Sequence, residues 1–135
     1  MLKIKNMSFM LTTKQFVDGD KDVTRRLGWT TLQPGEHFSA VEKSQGLRKG
    51  EKVKYLGQCV CVSNTPEPLT EIIKRPVRPD QVFVGGYGET EMSREGFPNL
   101  TAHGFVEMFC LHMKCTPKDT VNRIVFRRWN GNGTA

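Results

Sequence analysis

Residues 19–26 read GDKDVTRR, placing a glycine, a lysine, a threonine and two arginines within eight positions. Gathered in a pocket, these types have a definite chemistry. A threonine hydroxyl is a weak nucleophile until a base takes its proton. A lysine amine is such a base only when neutral, and burial or a neighbouring cation such as Arg25 or Arg26 favours that state. A carboxylic acid across the pocket would protonate a leaving amine. Glu95, in REGFPNL just ahead of an apolar-periodic stretch, is the choice for that part. Strand alternation constrains the arrangement, because Thr24 and Arg26 share one face while Lys21 points away. Lys21 joins them only if the chain turns at residues 19–21, which a helix-ending Gly19 permits. The plain alternative is a solvated Lys21, a Thr24 present for its β propensity, and a Glu95 that favours a helix N-terminus through the dipole. Spacing alone leaves both open.

The elements that would position these residues follow from periodicity. KNMSFML reads as a first strand with Met7, Phe9 and Leu11 on one face, and TTKQFVDG as a short helix capped by Thr12 or Thr13. DVTRRLGW is a second strand, and LQPGEHF holds a Pro-Gly turn. KVKYLG and QCVCVSN alternate as neighbouring strands, NTPEPL is a proline-rich break, and LTEII is a further short strand. Residues 74–88 form a long connection, with a strand at 81–84, of the kind that serves as a lid, a binding loop or an ordered insertion. NLTAHGFVEMFCLHM is the clearest helix, with Phe105, Met108, Phe109 and His112 at helical spacing, Asn99 or Thr101 as cap and Pro117 as stop. TVNRIVFRRW closes the fold with Ile124 and Phe126 inward, and 130–135 is a frayed tail. About six short strands with two or three helices and no β-α alternation predict an α+β domain, a small, partly closed β-barrel with helices outside.

The 135 residues suit one hydrophobic core. No apolar run approaches the ~20 residues of a membrane span, and the N-terminus lacks the pattern of a secretory signal, so the expectation is a cytoplasmic protein with no membrane partner. The formal charge of +6 favours polyanionic partners without naming one. Lys43, Arg48, Lys49, Lys52 and Lys54 cluster around two glycines as an exposed basic loop. The four cysteines, Cys59, Cys61, Cys110 and Cys115, sit in strand-like and helical runs rather than in compact loops, which reads as buried free thiols and not as a zinc site. Neither metal nor cofactor is expected.

GDKDVTRR resembles the Gly-x-Lys-x-x-Thr-x-Arg signature of the ASCH domain family, part of the PUA-like superfamily, matched at Gly19, Lys21, Thr24 and Arg26. The short helix before it, the Gly-Glu turns, EGFP ahead of a helix and the final strand RIVFRRW agree in order, over roughly residues 7 to 129. The resemblance implies a single PUA-like domain over 1–135, with a cleft between barrel and helices lined by the signature. Related domains bind RNA there. Some small bacterial members are amidohydrolases acting on N4-acetylcytidine, which implies Lys21 as base, Thr24 as nucleophile and Glu95 as proton donor, with Glu91 or Glu89 as shifted alternatives. Gly19, Arg25 and Arg26 would then contact the ligand. The chain is longer than those hydrolases, in EKSQGLRKGEK and KRPVRPDQVFVGGYGET.

Two functions are therefore open and a third ranks behind them. In a binding module for RNA or another single strand, Lys43, Arg48, Lys49, Lys52, Arg75 and Arg78 would track phosphates while Tyr87 or Trp29 stacks on a base. In an amidohydrolase, Arg26 would orient the ligand or hold Glu95 through a bidentate pair, and backbone N–H groups near Gly19 would steady the oxyanion. A ribonuclease would need an acid–base pair near phosphate, and of His37, His103 and His112 only His103 lies near the Glu95 segment.

Overall fold

The computed structural model describes residues 4–43, 49–74 and 87–129. These form an α+β fold around a five-stranded mixed sheet in the order β1-β3-β4-β5-β2. The strands are β1 (Asn6–Ser8), β2 (Val23–Arg26), β3 (His37–Val41), β4 (Tyr55–Pro68) and β5 (Thr120–Arg128). β1 runs parallel to β3, and the other pairings are antiparallel. β1 and β2 are the edges of an open sheet, so among the described residues closure into a barrel is not seen.

The sheet carries its apolar load on two sides. Met7, Phe9, Phe16, Leu32, Phe38, Ala40, Cys59, Cys61, Ile124 and Phe126 make one cluster. Its aromatic centre has Phe9 stacked on Phe16 at 5.0 Å and Phe126 against Phe9, Phe16 and Phe38. Ile124 and Phe126 point inward as the alternation predicts. A second cluster joins Leu69, Val121 and the helices α2 (Glu71–Lys74), α3 (Tyr87–Glu95) and α4 (Ala102–Met113). The two cysteine pairs fall in different clusters, Cys59 and Cys61 in the first, Cys110 and Cys115 against the second. Burial pushes the Cys59 thiol up to about 12, which suits a packing role.

Several elements depart from the sequence reading. The first strand ends at Ser8 and a 3₁₀ turn follows at Met10–Thr12, so Leu11 is exposed while Met7 and Phe9 are buried. YLG, QCVCVSN and TPEP are not two strands and a break but one 14-residue strand, β4, which leaves Lys52, Val53 and Lys54 ahead of it. Pro66 and Pro68 are tolerated because β3 pairs only with Tyr55–Val60, leaving the proline segment a single neighbour, β5. LTEII is not a strand: β4 ends at Pro68 and Glu71–Lys74 turn helical, which buries Ile72 beside Leu69. α3 was not anticipated, and it packs so closely on α2 that a Cβ on Gly88 would lie 2.2 Å from the Ile72 carbonyl oxygen. The connection and strand expected over 75–86, and the tail 130–135, lie outside the described residues.

The short helix α1 (Thr13–Val17) closes as expected with Gly19 left-handed, at φ +82°. α4 ends at a left-handed Lys114 before Pro117 is reached. Its start is capped by Thr101, whose Oγ1 accepts from the Gly104 N–H at 3.0 Å. Thr101→Ala should cost about 1 kcal/mol, read as a fall of roughly 3–5 °C in Tm by circular dichroism. An unchanged Tm would remove the cap from the account.

Candidate functional site

β2 follows the Gly19 turn directly, and its register on β5 decides which side chains meet. Thr24 pairs with Ile124 and Arg25 with Arg123, so Thr24 faces the aromatic cluster and Arg25 the side covered by α3. Arg26 returns to the Thr24 side, donating from Nε to Thr24 Oγ1 at 3.0 Å with its guanidinium 4.9 Å from the Phe9 ring centroid. The turn brings Lys21 round as the sequence required, 5.8 Å from the same ring. α3 is drawn onto this turn by Arg94, which donates from Nε and Nη2 to the two Asp22 oxygens at 3.0 and 3.1 Å.

That clamp delivers Glu95. Lys21 Nζ donates to Glu95 Oε1 at 3.1 Å, to the Glu95 carbonyl at 2.6 Å and to the Val23 carbonyl at 2.9 Å. These three bonds use the ammonium's three donors, and none goes to Thr24. Burial lowers the Lys21 pKa from its ordinary value; Glu95 opposes the shift and the charges of Arg26 and Arg25 add to it. Lys21, Thr24 and Glu95 are all buried, and with Arg25 and Arg26 they line one cavity of about 550 Å³. Its apolar walls come from both clusters, Phe9 from the first and Phe105 and Phe109 from the second.

Glu95 is held by Arg25, where the sequence reading offered Arg26. Arg25 Nη1 donates to Glu95 Oε2 at 3.0 Å, and its other nitrogens reach Glu67 and Glu91. Glu91 also accepts from Arg123, so one carboxylate sits between two arginines that the register sets side by side. Burial works against the Glu91 carboxylate, but Arg123 and Arg25 outweigh it and hold its pKa below the usual value. Burial alone would lower the Arg25 pKa; the three carboxylates raise it instead. Arg25 lines the cavity with its guanidinium bonded to the three acids. Glu67 had no signal in the sequence, since Glu67, Glu91 and Glu95 converge only through the fold.

Gly19 makes the turn but does not line the cavity. Its N–H and those of Asp18 and Asp20 close α1, donating to the Phe16, Lys14 and Gln15 carbonyls, so they are spent before any oxyanion arrives. Lys43 lines the cavity and lies 3.7 Å from Glu51; Lys54 lies 3.3 Å from Glu42. Lys49 and Lys52 are exposed, while Arg48, Arg75 and Arg78 fall outside the described residues. Trp29 lines the cavity; the side chains of Tyr87 and Glu89 are not among those described. His112 reaches the cavity rim and His103 does not. Among the described residues, no group of three or more His, Cys, Asp or Glu is placed to hold a metal ion, and no helix is long and apolar enough to cross a membrane.

The chain matches no protein-family model and no curated protein. Among solved structures it is similar to the crystal structure of protein EF3133 from Enterococcus faecalis, described under the family model DUF984. The superposition has a TM-score of 0.57 at 11% identity and covers 100% of this chain and 88% of that one. The likeness is one of fold.

Proposed function

We propose that the chain is a cytoplasmic ASCH-type domain, its open mixed sheet a partly closed variant of a PUA-like barrel, whose cavity receives a modified nucleobase and hydrolyses the amide of an N4-acylated cytidine. The observation that carries this reading is the meeting of Lys21, Thr24 and Glu95 on one cavity, with Glu95 74 positions from Lys21 yet bonded to it. The cavity's size is that of a small-molecule site, and its aromatic walls suit the faces of a base. Among the described residues the Thr24 hydroxyl accepts from Arg26 and has no acceptor for its own proton, which leaves that hydrogen available to a base.

In the reaction, Lys21 as the neutral amine turns from the Val23 carbonyl and takes the Thr24 proton as Oγ1 attacks the acyl carbon. Lys21 then passes a proton to Glu95 along their hydrogen bond, and Glu95 gives it to the exocyclic nitrogen as the C–N bond breaks. Water cleaves the acyl-threonine ester and Lys21 relays its proton back to Thr24, so amide and water become amine and carboxylic acid. The test is incubation with N4-acetylcytidine and chromatography for cytidine. No release by the wild-type protein would end the hydrolase reading.

The base role carries a pH signature. Lys21 acts as the amine, so kcat/KM should rise with pH as it deprotonates. Because its pKa is shifted below the ordinary 10.5, the rise should fall on the acid side of that value. A profile flat from pH 6 to 10 would remove Lys21 as the base.

A second reading is a non-catalytic RNA-binding module. It is favoured by the absence of a Lys21–Thr24 bond and by the exposed Lys49 and Lys52. Steeply salt-dependent RNA binding that survives Thr24→Ala, with no cytidine release, would select it.

A further inference from the structure

The cations that line this cavity are not alike. Arg25 meets three carboxylates and Lys21 three oxygens. Arg26 differs: among the described residues its only hydrogen bond is the one from Nε to Thr24 Oγ1, and it has no carboxylate within salt-bridge distance. Its terminal nitrogens are thus unspent in a cavity it lines. The group is also fixed in place. It lies over Phe9, which is itself stacked on Phe16, and the Nε bond ties it to Thr24.

We propose that Arg26 is an oxyanion site: its two terminal N–H groups receive a ligand oxygen, a carboxylate or a carbonyl becoming an oxyanion, at the position beside Thr24 Oγ1. A guanidinium fork suits this load, since it presents parallel donors and stays charged. Desolvation, with only partial relief from Glu95, lowers the Arg26 pKa to about 10, a shift that a bound anion would oppose. Arg26 remains a cation at neutral pH. The backbone N–H groups of the Gly19 turn cannot take this part, being bonded within the turn.

The assignment rests in part on the hydrolase reading, and extends it. As Oγ1 attacks, the carbonyl π pair moves onto oxygen, and that charge develops against Arg26. When the C–N bond breaks the pair returns to form the ester carbonyl. The ligand class follows: molecules with an acyl carbonyl or a carboxylate to set beside Thr24, the acyl substrate and its carboxylate product included.

Two measurements separate this proposal from the hydrolase reading. The first needs no turnover: acetate is titrated into the wild-type protein while the Arg26 Nε–H resonance is followed by NMR, with Arg26→Met as the control. A saturable shift, lost at the cavity's neighbouring amide signals in Arg26→Met, is expected. An Nε–H signal unmoved up to about 100 mM acetate, a range set by the weakness of so small a ligand, overturns the proposal whatever the activity. The second compares N4-acetylcytidine kinetics in Arg26→Lys and Arg26→Met. A loss of roughly 10²–10³-fold in kcat with KM little changed is the expected signature of a group that acts on the oxyanion. A rise in KM with kcat retained would overturn the transition-state role. An acetate shift without cytidine release would keep the oxyanion site and remove the hydrolase.

Discussion

Arg25→Met is expected to lower stability by about 3–5 kcal/mol, the usual cost of removing one partner from a buried ionic cluster. The Arg25 side chain has no solvent exposure, and Glu67, Glu91 and Glu95 are each almost fully buried around it. Without the guanidinium these carboxylates face one another in a low dielectric with fewer donors. Arg123 still reaches Glu91 and Lys21 still reaches Glu95, but their geometry cannot replace a group bonded to all three. The melting temperature should fall by roughly 10–20 °C. Arg94→Ala serves as the contrast. Arg94 and Asp22 are substantially exposed, so losing that pair should cost no more than about 1 kcal/mol. Equal melting temperatures for the two variants would mean the Arg25 cluster is far wetter than its burial indicates.

The same cluster sets the acid limit of the wild-type protein. Glu91 has a folded-state pKa below its ordinary 4.5. The stability this confers is therefore present above the unfolded value and is lost as the pH falls through the folded one. Arg25→Met, lacking part of the cause, should show a shallower loss in acid. Melts between pH 3 and 6 would read it.

Thr24→Ala is expected to reduce cytidine release from N4-acetylcytidine by about 10³-fold or more, or at least ~4 kcal/mol of barrier. The substitution removes the atom that would form the acyl ester and leaves Lys21, Arg25, Glu67, Glu91 and Glu95 bonded to one another as before. Thr24→Ser keeps the hydroxyl and should retain most of the rate. A Thr24→Ala protein that turns over like wild type would assign attack to water and leave Thr24 as an anchor for Arg26.

Parts of this site were legible in the sequence. Gly19 announced the turn that brings Lys21 round, and the two-residue spacing of Thr24 and Arg26 put them on one face, where a hydrogen bond joins them. Ile124, Phe126 and the Thr101 cap followed from periodicity and position. What stayed hidden depends on distance along the chain. Arg25 reads as a cation beside Lys21 and a ligand contact until the fold brings in acids from 42 to 70 positions away. α3 is too polar over YGETEMSRE to signal a helix, because the face it buries is spent on ion pairs through Glu91 and Glu95 and on Met92. Prolines hid the end of β4, since a sequence does not say which stretch of a strand has one neighbour.

The pairing of β2 has a consequence for how the molecule comes into being. β2 carries Thr24 and Arg26, and its one hydrogen-bonded neighbour in the sheet is β5. Joining Val23 to Val125 closes a loop of about a hundred residues, and the entropy of that closure must be met before the contacts reward it. A chain growing from the ribosome therefore holds β2, with Thr24 and Arg26, without a partner strand until Thr120–Arg128 has emerged. The wall of the cavity that β2 supplies is therefore set by one of the least local contacts in the fold.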